Sequence, residues 1–200
     1  NVTGGDGFVT GEVTDIKATG SVTYVTEGEV ENTITYKTGA KFNADNYTIT
    51  EYPGKLSITA SEEEVTVTIA GGTDTTTYDG EKHSVDGYEI KGISNSLYKA
   101  EDFRLAEDAS AHAEGTDAND YAMGLTSGSF ENTNLNFSKV TFVVTDGKLT
   151  ITPRTVTLTS ETASKPYDGT PLTRPNVTGG DGFVTGEVTD IKATGSVTYV

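Results

Sequence analysis

The side chains in this sequence that could do chemistry are few, and each has a plain structural use as well. Histidine stands at two positions, His83 and His112, and cysteine at none. A zinc site needs several imidazole or thiolate ligands at close spacing, and a catalytic triad needs a nucleophile poised beside an imidazole. Neither histidine has a partner at ligand spacing, and both suit ordinary strand or surface positions. A Tyr-Asp-Gly tripeptide occurs at Tyr78-Asp79-Gly80 and again at Tyr167-Asp168-Gly169. It sets a phenol beside a carboxylate, yet it reads more simply as a tyrosine laid on a sheet, followed by a tight turn in which glycine takes a positive φ. The acidic loops holding Asp6, Glu12 and Asp15, and Asp117 and Asp120, could gather oxygen ligands for calcium. They lack EF-hand or nonapeptide spacing and read as solvated loops. The ten tyrosines could stack on sugars, but strand tyrosines more often cover core edges through cross-strand pairs. A lysine–asparagine isopeptide cross-link would stiffen a cysteine-free chain, but no Lys, Asn and acid in adjoining strands can be picked out. We therefore expect no catalytic residue, no cofactor-binding residue and no metal ligand.

Composition narrows the classes further. The chain has 200 residues, 34% of them apolar, enough for one domain or two small ones. Thirty acidic residues against fourteen basic ones give a formal charge of −16, which repels phosphate backbones and anionic lipid surfaces. Nucleic acid and membrane binding are thus poor expectations. No apolar run approaches the roughly 18 to 20 residues of a membrane span, and the first residues lack the basic and apolar regions of a signal peptide. We expect a soluble protein or a soluble piece of one. The 23 glycines exceed the roughly 14 of average usage, and threonine, valine and tyrosine are abundant. That combination favours short strands joined by tight turns, an all-β fold.

Internal repetition organises the chain. Residues 1–25 recur letter for letter at 176–200, a period of 175 residues. Such identity points to recent duplication and suggests a window on a longer array. Within the period lies a weaker similarity. Val67 and Ile69 stand to Tyr78 as Val156 and Leu158 stand to Tyr167. Asp15-Ile16-Lys17 parallels Asp102-Phe103-Arg104, and without a gap Asn32 parallels Asn119 and residues 34–36 parallel 121–123. Asn46-Tyr47 before Gly54-Lys55-Leu56 parallels Asn136-Phe137 before Gly147-Lys148-Leu149. These marks predict one complete module at 61–153. Residues 1–60 form the C-terminal part of another, and 154–200 the N-terminal part of its next copy. The short junctions at 60–64 and Pro153-Arg154 should restrict bending.

The elements that position these residues read as strands. Val65, Val67 and Ile69 alternate with Thr66 and Thr68, Leu149 and Ile151 with Thr150 and Thr152, and Val156 and Leu158 with Thr155, Thr157 and Thr159. Asp146-Gly147 and Pro53-Gly54 look like hairpin turns before the last strand, of types I′ and II. Leu97 to Asp108 has apolar residues at helical spacing, but its counterpart, Thr10 to Ser21, is rich in glycine and β-branched residues. Both are therefore read as strand. About six or seven strands per module predict tandem small β-sandwiches, immunoglobulin-like, with a β-grasp arrangement as the alternative.

Lys165-Pro166-Tyr167-Asp168-Gly169-Thr170-Pro171-Leu172, with the closing Asn46-Tyr47-Thr48-Ile49-Thr50 and Gly54-Lys55-Leu56-Ser57-Ile58, resembles the YDG and MBG-type repeat domains of large bacterial surface proteins and adhesins. The likeness extends over nearly the whole chain, although Thr77-Tyr78-Asp79-Gly80-Glu81 lacks the flanking prolines. The resemblance implies an extracellular, cell-wall-anchored protein whose modules form a stalk. Such repeats would project a distal binding domain, with neighbouring modules of the same chain as partners and no enzymatic activity. Two alternatives accompany this expectation. The repeats themselves could bind a host glycan or matrix protein weakly and gain avidity by copy number, or chains could self-assemble by strand exchange between residues from about 154 onward and another chain's 1–60.

Overall fold

Alternating apolar and threonine residues dictate what is seen first. In the computed structural model, which describes residues 4–197, every regular element is a β-strand or a single turn of 3-10 helix. The strand Val65–Gly71 turns Val65, Val67 and Ile69 fully inward, each 0% exposed, while Thr66 and Thr68 remain half-buried. It is the middle strand of a three-stranded sheet, between Val140–Thr145 and Tyr88–Ile93. A second three-stranded sheet centres on Lys148–Thr152, whose Leu149 and Ile151 are buried in the same alternating way. Asn119–Ala122 runs antiparallel to it, with Asn119 opposite Ile151, and Thr73–Thr77 runs parallel to it, with Lys148 opposite Thr73.

Smaller pairs complete the fold. His83–Asp86 pairs antiparallel with His112–Gly115, and Phe103–Leu105 lies beside Phe130–Asn132. Toward the beginning of the chain, Val13–Ala18 pairs with Ile34–Thr38, with an irregularity between Thr14 and Lys17, and Val30–Asn32 pairs with Gly54–Leu56. Toward its end, Leu158–Ser160 pairs with Val177–Gly179 and Leu172–Thr173 with Ser196–Val197. Residues 61–153 thus carry ten strands, more and shorter than the expected six or seven.

Contacts group the chain into two units, one of Asn1–Val67, Ile93–Arg104 and Glu131–Thr141, the other of Thr68–Gly92, Leu105–Phe130 and Phe142–Val200. In the first, Tyr98 is buried, stacked near Phe103 with ring centres 6.4 Å apart and edge-on to Phe137 at 5.3 Å. Its hydroxyl lies 2.9 Å from both the Asp102 carbonyl and Asn132 Oδ1, so the burial that suits the ring also satisfies the polar tip. In the second, Ala113, Leu149 and Ile151 form a cluster against which Tyr78, Val85, Tyr121 and Met123 pack. Every fully buried hydrophobic side chain among the described residues falls between Val65 and Ile151.

Three local expectations need correction. Asp146-Gly147 joins strands of two different sheets, Val140–Thr145 and Lys148–Thr152, and makes no hairpin. Pro53-Gly54 likewise leads into a strand that pairs with Val30–Asn32, and neither Gly147 nor Gly54 has a positive φ. Gly147 is needed for closeness instead. A Cβ there would lie 2.5 Å from Met123 Sδ and would collide with the Gly72 carbonyl oxygen, because Lys148 N donates to that oxygen at 3.0 Å. The segment from Leu97 to Asp108 holds the strand Phe103–Leu105 preceded by one 3-10 turn, Ala100–Asp102, and Leu97 is exposed. The gapless correspondence fails in pairing as well. Ile34–Thr38 pairs with Val13–Ala18, whereas its counterpart Asn119–Ala122 pairs with Lys148–Thr152.

The exact repeat supplies an internal control. Asp15 and Asp190 share a left-handed backbone, φ 56° and 57°, and Phe8 N donates to Gly5 O at 3.2 Å as Phe183 N does to Gly180 O at 3.1 Å. Yet Val13–Ala18 is a strand while residues 188–193, the same six residues, are not. The first copy has Ile34–Thr38 to pair with. In the second copy the local conformation is retained and residues 188–193 form no ladder.

Candidate functional site

Both Tyr-Asp-Gly motifs are turns. Gly80 and Gly169 take φ of 85° and 79°. Asp79 Oδ1 accepts from Glu81 N at 2.9 Å and Asp168 Oδ1 from Thr170 N at 3.0 Å, so each aspartate closes its own turn. A side-chain nitrogen lies beside each of these carboxylates as well. His83 Nε2 lies 2.9 Å from Asp79 and Lys165 Nζ 2.9 Å from Asp168. His83, then the Glu81 amide, hold the Asp79 carboxyl below its usual range, and Lys165 and Thr170 do the same for Asp168. The tyrosines differ. Tyr78 packs against the Ala113, Leu149 and Ile151 cluster and donates to Glu187, whereas Tyr167 is exposed.

The two histidines come closer than their sequence separation suggests. They stand on paired strands, with Gly115 opposite His83 and Asp86 opposite His112. His112 bridges two carboxylates, Nδ1 to Asp86 at 2.6 Å and Nε2 to Glu114 at 3.0 Å, and Lys82 reaches Glu114 at 2.7 Å. Hydrogen bonds to Asp86 and then Glu114 raise the His112 pKa, since the imidazolium donates from both nitrogens. This is an exposed ion-pair chain on a two-stranded ribbon.

The acidic loops do not converge. Glu12 accepts from the Tyr47 hydroxyl at 2.5 Å, Asp15 pairs with Lys37 at 3.1 Å and Lys17 at 3.4 Å, and Asp120 accepts from Thr150 at 2.6 Å and pairs with Lys148 at 2.9 Å. Among the described residues no group of three or more His, Asp or Glu is placed to hold a metal ion.

One concavity stands out, and sequence reasoning missed it. Within residues 4–60 an open groove of about 470 Å³ is lined chiefly by Phe8, Ile16, Ile34, Tyr36, Ile49 and Tyr52. Phe8 and Tyr36, with ring centres 6.0 Å apart, give the lining an aromatic pair, and Tyr47 packs behind Phe8 at 5.2 Å without lining the groove. The strands Val13–Ala18 and Ile34–Thr38 supply Ile16 and Ile34. Residues 47–53 form no strand and contribute Ile49, 38% exposed, and Tyr52, 87% exposed. Glu51 is the one acidic or basic residue in the lining, so the groove can hold apolar side chains and backbone but has no acid–base pair to run a reaction. No local signal in the sequence brings these residues together, because Phe8, Ile16, Ile34 and Ile49 are spread over about forty positions and meet only in the fold.

No known protein family, curated protein or solved structure matches the chain.

Proposed function

We propose that the chain is a spacer: tandem β-sandwich modules of a bacterial cell-surface adhesin, extracellular and wall-anchored, that hold a distal binding domain away from the cell. The observation that carries this reading is the letter-for-letter repetition of 25 residues at a period of 175. Duplication supplies length and asks nothing of a catalytic group. Several features support it. The carboxylates of the motifs are engaged in turns and ion pairs, strands alternate apolar and threonine faces, and a charge of −16 keeps neighbouring stalks apart. The Tyr-Asp-Gly turns and closing strands resemble YDG and MBG-type repeats, which suits the same role.

Small-angle scattering on chains of one, two and three periods tests this. Strands of at most seven residues at about 3.3 Å, with loops, give roughly 30 Å per module, so each added period should lengthen the maximum dimension by about 60 Å. A dimension that grows only with the cube root of mass, as for a collapsing globule, refutes the spacer. Glycan binding that strengthens with copy number and is lost on replacing Tyr52 and Tyr167 would replace it with direct adhesion.

A further inference from the structure

We propose that a groove beside Gly87 binds the ring of a neutral sugar, a hexopyranoside or an N-acetylhexosamine, stacked on Tyr88. The groove is lined by residues within 70–91 and 145–146 and has a volume of about 430 Å³, inside the roughly 300–1,000 Å³ range of small-molecule sites. It is built on a corner that favours glycine. Gly87, at φ 83°, joins the strands His83–Asp86 and Tyr88–Ile93, so Asp86 and Tyr88 flank it. Its amide donates to the Ala111 carbonyl at 2.7 Å and its carbonyl accepts from Gly72 N at 2.9 Å, which pins the corner. The Thr145-Asp146 part of the lining is held as well, because Asp146 accepts from Leu125 N at 2.8 Å and Gly124 N at 3.1 Å.

Tyr88 supplies the one aromatic ring of the lining. It meets Phe130 nearly at right angles, with centres 5.0 Å apart, and Phe130 is buried and packs on Phe142 at 5.7 Å. The phenol is thus held by the core and still 37% exposed. Around it the lining offers both hydrogen-bonding roles. Asp86 and Glu89 accept, Lys91 donates, and the hydroxyls of Thr73 and Thr145 do either. Asp86 uses Oδ1 on His112, and its Oδ2 has no partner among the described residues. Glu89 and Lys91 pair with each other while both stay exposed, which leaves further donor and acceptor positions on each.

This lining selects its ligand by exclusion. Three carboxylates, Asp86, Glu89 and Asp146, stand against the single ammonium of Lys91, so an anion is repelled. A wholly apolar group would strip water from these polar side chains and return no hydrogen bonds. A pyranose ring meets both demands, since its C–H face can lie on the Tyr88 ring while its hydroxyls donate and accept around the edge. The groove is also particular to this module. Counting from the Tyr-Asp-Gly tyrosines, residues 175–180 hold the place of 86–91 and read Pro-Asn-Val-Thr-Gly-Gly, with no aromatic and no charged residue. The structural plan is shared between the modules and the sugar-binding residues are not, so the site would occur once in each 175-residue period.

The inference stands apart from the spacer reading, because sugar binding and added length are measured separately. The test titrates the isotope-labelled 200-residue chain with methyl galactoside, methyl glucoside and N-acetylglucosamine, and with N-acetylneuraminic acid as the anionic comparison, and follows amide resonances. We expect saturable binding of at least one neutral sugar, with a dissociation constant on the order of millimolar and shifts centred on residues 70–73, 86–91 and 145–146. Tyr88→Ala should weaken it by about tenfold or more and Tyr88→Phe, which keeps the ring, by less than about threefold. Glu89→Ala with Lys91→Ala, both at exposed positions, should weaken it severalfold and keeps the test decisive if Tyr88→Ala fails to fold. Tyr52→Ala with Tyr167→Ala should leave it unchanged. The proposal is overturned if no neutral sugar gives saturable shifts by about 100 mM, or if the shifts centre elsewhere. Binding that survives the changes at 88, 89 and 91, that is lost on the changes at 52 and 167, or that favours N-acetylneuraminic acid overturns it equally.

Discussion

Ile69 and Leu158 stand at the same distance before their Tyr-Asp-Gly tyrosines, one buried in a middle strand and the other exposed beside a single partner, which makes alanine at each a measurement of what that burial is worth. Either change removes three side-chain carbons. At about 0.8 kcal/mol per buried carbon, Ile69→Ala loses about 2.4 kcal/mol of transfer energy. A cavity term adds to this, since Ile69 is wholly buried between two flanking strands, and brings the total to about 3–4 kcal/mol. Leu158 is already 48% exposed, so half the transfer term is absent and no cavity forms. Its loss should be about 1 kcal/mol or less. Urea unfolding followed by far-ultraviolet circular dichroism suits the assay, because the chain has no tryptophan to report by fluorescence. With a slope near 1.5 kcal/mol per molar, Ile69→Ala should lower the midpoint by about 2 M and Leu158→Ala by well under 1 M. Equal shifts would mean that Leu158 is as well covered as Ile69, and the burial contrast on which this reasoning rests would be refuted.

Gly147→Ala should cost about 2–4 kcal/mol, because the new methyl meets the Gly72 carbonyl and disturbs the 2.9 Å bond from Met123 N to Gly147 O. Gly92→Ala, with nothing within 4 Å of its Cβ position and no left-handed φ, should change melting by less than about 0.5 kcal/mol. Burial and then the Asp102 charge push the Tyr98 hydroxyl up to about 12. A raised folded pKa keeps its contribution whole below pH 10 and loses it as pH climbs through 12, so unfolding free energy should drop by about 2–3 kcal/mol over that interval. Tyr98→Phe, which starts lower, should lack that part of the decline. For His112 the sign is the same. The stabilisation from its two carboxylates is present below about pH 6.5 and fades as pH passes its elevated pKa. Nuclear magnetic resonance titration should place the His112 midpoint above 6.5, and Asp86→Asn should bring it down; a midpoint unmoved by that change would discard the bridge.

What could be read from the sequence was whatever the chain encodes over a few residues. Period-2 alternation located Val65–Gly71 and Lys148–Thr152, and the Asp-Gly pairs at 79–80 and 168–169 gave positive-φ turns with an aspartate closing each. Partner choice was illegible. Asp146-Gly147 looks like a hairpin turn because the dipeptide favours one, but Gly147 is held against Gly71 and Gly72, and the chain crosses from one sheet to another there. The parallel pairing of Lys148–Thr152 with Thr73–Thr77 joins segments about 75 residues apart, and nothing local announces it. The groove escaped notice for a related reason. Phe8, Ile16, Ile34 and Ile49 lie far apart in the chain, and only the fold brings them to one groove.

The twin segments carry that distinction to its physical root. Residues 4–18 and 179–193 agree in their glycine conformations, in the turn bond from the phenylalanine amide, and in the left-handed aspartate. Each feature closes within a few residues, so its entropy cost is met locally. They part company at residues 13–18 against 188–193, where the stabilising bonds must come from a strand 16 to 25 residues further on. A ladder bond across such a loop must offset chain-ordering entropy before it adds stability. In this chain, then, the pattern of apolar residues states which segments are able to be strands, and the supply of complementary edges decides which of them are.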